Sequence, residues 1–87
     1  MSHWNLRVVF HDNDTYPFYG VHEVFYNDDN SIYGYTEDPI SIHGENVDEI
    51  IKYLEMVLKD IKKSPLLIES EVEFIDKEEG LVYDNQN

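Results

Sequence analysis

The side chains able to do chemistry gather in three short stretches. "HDND" places His11, Asp12 and Asp14 side by side, "VHEV" sets His22 against Glu23, and "YTEDP" carries Tyr35, Thr36, Glu37 and Asp38. A carboxylate near an imidazole can move protons, and aspartate oxygens can hold a divalent cation. Each stretch also has a plainer reading. Asp and Asn between strands are ordinary turn residues, and "HDND" lacks the full calcium-loop pattern. No nucleophile motif, glycine-rich phosphate loop or zinc-helix motif accompanies these residues. A hydrolase using His11 and Glu37 is therefore the weakest reading. The chain is read as a non-enzyme, with no catalytic residue, no metal and no cofactor assigned.

Charge says more than any motif. Nineteen acidic residues face six basic ones, a formal net charge of −13. Between Val8 and Ile51 there are ten Asp or Glu and no Lys or Arg. Such a surface repels nucleic acid phosphates and anionic lipid and attracts a basic protein surface. Direct nucleic-acid binding and membrane association are excluded on this ground. Cysteine is absent, so there is no disulfide scaffold or thiolate metal site, which fits a cytoplasmic protein. The first residues lack a basic region followed by an apolar run, so no leader is expected.

These residues must be positioned by the elements around them. "WNLRVVFH" (4–11) alternates as a half-buried strand, with Trp4, Leu6, Val8 and Phe10 on one side and Asn5, Arg7, Val9 and His11 on the other. After the "DNDTYPF" loop a second strand covers 19–26 and a third 32–37, with Asn30 suited to the left-handed position of their hairpin loop. Asp38-Pro39 ends the third strand. Residues 47–63 read as a helix. Val47, Ile50, Ile51, Leu54, Val57, Leu58 and Ile61 share a stripe, Asn46 is the N-cap with Glu49 completing a capping box, and Ser64-Pro65 is the stop. "PLLIESEVEFID" alternates again and reads either as a fourth strand or as an acidic arm.

The expected fold is one α+β domain over 1–87: an antiparallel meander of three or four strands with one helix packed on one face. Its compact core covers about 4–68, and an acidic segment covers 69–87. A register that keeps the Trp4 stripe with Val24, Tyr26 and Ile32 places Arg7 near Glu23, where opposite charges favour the pairing. On this register Val24 lies opposite Gly34. His22 then sits at the edge of the helix-facing side, with Thr36 as hydrogen-bond partner. The reverse side carries Arg7, His11, Tyr19, Glu23, Phe25, Tyr33, Tyr35 and Glu37. Unless the C-terminal segment folds over it, that side is an open, tyrosine-rich surface suited to a partner.

The pattern "WNLRVV…H…YGVHEVFY…TEDP…GE", followed by a helix and "KSPLL", resembles a family of short bacterial and phage-type proteins. That family reads roughly W-N-x-R-V-V, H-E-V-x-Y and T-E-D/N-P, then a helix closing in K-P. The likeness covers about residues 4 to 69. It implies a small ββ(β)α domain and no particular activity. The residues matching its polar positions are Arg7, His11, His22, Glu23, Thr36 and Glu37.

Two functions stand ahead of the hydrolase. The first is an acidic inhibitor or decoy of the kind phages use against host defence, engaging a basic, nucleotide- or nucleic-acid-handling partner. It would bind through the tyrosine-rich side, the acidic loops and Glu69, Glu71 and Glu73, with self-association as a homodimer through the open sheet face. The second is a small-molecule or nucleotide-signal binder, with Arg7, His11, Glu23 and the tyrosines lining a pocket between subunits.

Overall fold

The computed structural model describes residues 3–75. It is α+β, in the order β1 (His3–His11), β2 (Phe18–Tyr26), β3 (Ile32–Tyr35), α1 (Val47–Lys63) and β4 (Leu67–Ile68), followed by a 3-10 turn over Glu69–Glu71. The sheet has four strands in the order β3-β2-β1-β4. β1, β2 and β3 form the expected antiparallel meander, but β4 runs parallel to β1, pairing Val9 with Leu67 and Phe10 with Ile68. The sheet is therefore mixed. The stretch after Pro65 supplies two strand residues where its alternation suggested a longer strand.

The β2–β3 hairpin follows local turn chemistry. Asn30 takes the left-handed conformation, at φ 70°, and Asp29 holds the loop by accepting from the Ser31 backbone and hydroxyl. Tyr26 pairs with Ile32 as expected. A bulge between Phe25 and Tyr26 then shifts the ladder, so Val24 lies opposite Tyr35 and Phe25 opposite Gly34. A bulge puts two residues of one strand against one of the other and re-aims those beyond it.

The β1–β2 register corrects the sequence expectation. Arg7 pairs with His22, and Glu23 pairs with Leu6. Cross-strand partners share a face. Trp4, Leu6, Val8 and Phe10 therefore lie with Phe25, Glu23, Val21 and Tyr19, not with Val24 and Tyr26. The other face carries Arg7, Val9 and His11 with His22, Val24, Tyr26 and Tyr35. The slip is by one residue, and a period of two turns a one-residue slip into a change of side. Both β1 faces are apolar, since Val8 and Val9 are neighbours, so alternation alone could not choose.

The expected open side is consequently divided. Its Arg7, His11 and Tyr35 lie on the His22 face, which the segment after α1 covers at Tyr35. Phe74 packs on Tyr35 with ring centroids 5.5 Å apart, Ile75 donates to Ile32 O at 2.7 Å, and the Asn27 amide donates to Ile75 O. Val9, His22 and Val24 are fully buried.

α1 begins at the expected Asn46 cap, with Glu49 reaching back one residue beyond the cap N–H that a capping box engages. Asn46 Oδ1 accepts from Glu49 N–H, and Glu49 Oε1 accepts from Glu45 N–H. Asp48 and Glu49 lie in the first turn and Lys62 and Lys63 in the last, each complementing the helix dipole. Ser64 caps the end. The helix terminus is tied to β1: Leu6 N–H donates to Asp60 Oδ2, and the Asn5 amide donates to Ser64 Oγ. Of the apolar stripe, Val57 is buried and Ile50 and Ile61 are half-buried, whereas Val47, Ile51, Leu54 and Leu58 are exposed. The stripe is wider than the contact it makes.

Candidate functional site

Two places bring reactive side chains together. The first is buried. His11, the last residue of β1, and His22, in the middle of β2, meet with Nε2 to Nε2 at 2.8 Å. His11 Nδ1 lies 2.9 Å from Glu69 Oε2, delivered by the 3-10 turn that follows β4. His22 Nδ1 lies 2.8 Å from the Thr36 carbonyl oxygen and 3.2 Å from its hydroxyl. The chain thus runs Glu69–His11–His22–Thr36. Phe18 stacks on His11 at 4.4 Å, and Tyr35 meets the edge of the His22 ring at 5.3 Å.

Burial disfavours the charged form of His22 and pulls its pKa below the usual histidine value, against the opposing pull of Thr36 O. The Thr36 carbonyl at 2.8 Å can only accept, so it calls for a hydrogen on Nδ1 of the His22 ring.

The loop after β1 closes over this pair. Asp12 accepts from both the backbone N–H and the hydroxyl of Ser70. Those bonds, the Ser70 hydroxyl foremost, hold the Asp12 carboxyl below the usual carboxylate value. They also fasten the "HDND" loop to the turn that carries Glu69. Burial, followed by the negative field of Glu69, Asp12 and Asp14, raises the Tyr35 hydroxyl above its ordinary value.

The second place is an open cleft of about 280 Å³ between β2, the loop after β3 and α1, lined by Glu23, Thr36, Asp38, Pro39, Ile40, Ser41, His43 and Tyr53. Ile40 N–H donates to Val21 O, which lays the loop along the edge of β2. Glu23 and Asp38 bring two carboxylates to its wall, and no Lys or Arg lines it. Thr36 touches both places.

The sequence-derived site residues are distributed as follows. His11 and Glu69 are joined in the buried chain, and Tyr35 lies against it. Arg7 is engaged with Pro65 O and the Tyr26 hydroxyl, and does not face Glu23. Glu23 lines the cleft. Tyr19 and Tyr33 are exposed, and Phe25 packs near Tyr33 at 6.1 Å. Glu37, Glu71 and Glu73 are exposed, and the acidic residues beyond 75 lie outside the described residues. His22, Asp38, His43 and Tyr53 were not among the expected site residues. His22 was read as structural, with Thr36 as its partner, and that bond is present. Its meeting with His11 depends on a register the pattern left open.

No family model, no curated protein and no solved structure matches the chain. No helix among the described residues is long and apolar enough to cross a membrane.

Proposed function

We propose that the chain is a non-enzymatic acidic binding protein, an inhibitor or decoy that occupies a basic, nucleic-acid- or nucleotide-handling surface of a partner protein. The observation that carries this reading is the cleft walled by Glu23 and Asp38 without a cation in its lining. It lies within a span, Val8 to Ile51, that holds ten carboxylates and no Lys or Arg. A partner's Arg or Lys side chain entering the cleft would meet charge on Glu23 and Asp38 and the Tyr53 ring, which suits a guanidinium. Exposed Glu37, Glu45, Asp48 and Glu49 extend the negative field along the same side of the sequence. Rows of carboxylates can take the place of phosphates on a basic surface, in the manner of phage proteins that disarm host defence.

A nucleotide reading fits less well. Phosphates would meet Glu23 and Asp38 in the cleft, and the one cation assigned to them, Arg7, already donates to Pro65 O and Tyr26. Any small ligand of the cleft should be cationic.

The test is capture at low salt with the tagged protein, followed by challenge. A true partner is released as ionic strength rises and the Debye length shrinks from about 30 Å at 0.01 M toward about 8 Å at 0.15 M. It is also released by added duplex DNA, and is held more weakly by a Glu23→Gln, Asp38→Asn double variant. Capture indifferent to salt, to DNA and to the double variant would reject the charge-led mechanism.

A further inference from the structure

We infer that His11, Asp14 and Glu69 form a binding site for a divalent transition metal of the zinc class. His11 Nδ1 and one carboxylate oxygen each of Asp14 and Glu69 all lie within 4.8 Å of one another. The imidazole nitrogen selects against magnesium and calcium, which take oxygen ligands, and one nitrogen with two carboxylate oxygens is an ordinary zinc donor set.

One feature of the surroundings points the same way. Glu69 Oε1 is buried and has no hydrogen-bond partner among the described residues, while Oε2 is engaged by His11. A buried carboxylate oxygen without a donor is costly, and a cation held by both Glu69 oxygens would satisfy it. An outer partner for the His11 ring is also in place: its Nε2 lies 2.8 Å from His22 Nε2, and His22 Nδ1 lies 2.8 Å from the Thr36 carbonyl. A ligating histidine commonly donates its other N–H to such an outer partner, which fixes its tautomer.

Asp12 has the positioning role. Its two bonds to Ser70 bind the loop bearing Asp14 to the turn bearing Glu69. The bland turn reading of "HDND" explains Asp12 but not Glu69 arriving from the far end of the chain.

Zinc titrated into chelator-stripped protein and followed by calorimetry should show saturable uptake of one ion per chain. Cobalt in place of zinc should give visible bands of a low-coordinate site. Asp14→Ala, on an exposed loop, should weaken zinc by about tenfold or more, on the scale of losing an orienting partner, and leave the melting temperature of metal-free protein unchanged. Glu69→Gln should weaken zinc similarly, and His43→Ala should not. In nitrogen-15 spectra the His22 ring should be an Nδ1–H tautomer in the zinc form. Absence of saturable uptake would overturn the site, as would affinity unchanged in both Asp14→Ala and Glu69→Gln. Loss of zinc in His43→Ala alone would place the ion elsewhere and equally overturn it.

Discussion

The two faces of β2 treat charge in opposite ways. On one, His22 is fully buried and every polar atom of its ring has a named partner. On the other, one residue along, Glu23 stands in an open cleft beside Asp38 with no cation in the lining. Neighbouring strand residues point to opposite sides, so a single dipeptide supplies both a structural relay and an element of a charged surface. A buried polar network depends on short-range geometry and fails when one member is missing. A field of exposed carboxylates depends on number and spacing and tolerates local loss. The comparison can be broken at either end, and the largest effects belong to the buried side.

His22→Leu keeps the volume approximately and removes both ring nitrogens. The Thr36 carbonyl and His11 Nε2 are then left facing hydrocarbon. Two unsatisfied buried groups should cost about 3 kcal/mol, which lowers the thermal midpoint by roughly 12–24 °C for a domain of this size. A melt followed by circular dichroism measures it. A loss below about 1 kcal/mol would mean the relay is not a unit, on the scale of ordinary surface changes.

Gly20→Ala tests how closely that side is packed. An added Cβ would lie 2.9 Å from Pro39 Cγ and 3.2 Å from His22 Nε2. The Pro39 ring cannot swing away as a long side chain could, so the loop must move. A cost of about 1–2 kcal/mol is expected from overpacking, with displaced His22 ring resonances. Unchanged stability with an unshifted His22 would show that the loop after β3 yields freely.

The reach of sequence reasoning follows the same division. The α1 boundaries, the Asn46 cap, the left-handed Asn30 and the His22–Thr36 bond are decided by residues near in sequence, and each was legible. The β1–β2 register was not. Val8 and Val9 make either face of β1 acceptable, and the loop of residues 12–17 is too long to impose a pairing. The Arg7–Glu23 attraction favoured the wrong alternative, because Arg7 finds its partners at Pro65 and Tyr26 instead. The buried relay was hidden for a related reason: Glu69 and His11 are 58 residues apart. In "IESEVEF" nothing local distinguishes Glu69 from Glu71 and Glu73. What separates them is the parallel pairing of Leu67 and Ile68 with β1, which turns Glu69 inward.

Arg7→Met sharpens the contrast between structural and interactive charge. Arg7 donates twice to Pro65 O, at 3.2 and 2.8 Å, and once to the Tyr26 hydroxyl. Its planar fork joins β1 to the stretch between α1 and β4, so Met should cost about 1 kcal/mol even though the site is partly solvated. Lys should recover little of this, having no fork. If Arg7→Met leaves the fold unaffected but abolishes partner binding, Arg7 belongs to the binding surface and its contacts with Pro65 are incidental.

The smallest effect on stability is expected from the cleft, and there the smallness is itself the test. Glu23→Gln and Asp38→Asn remove two like charges from a chain of formal charge −13. Asp38 is exposed and Glu23 half-buried in the cleft wall; carboxylates so placed, with no cation beside them, should change stability by about 0.5 kcal/mol or less, and relief of self-repulsion should make the sign slightly favourable. The melt of the double variant should therefore superimpose on the parent or lie just above it at low salt, and the difference should vanish as salt screens the remaining charges. Glu23 faces Leu6 across the ladder, and a cost of about 2 kcal/mol would assign it to the fold instead. In that event Glu23 would join His22 as a structural residue, and the two faces of β2 would no longer differ in kind.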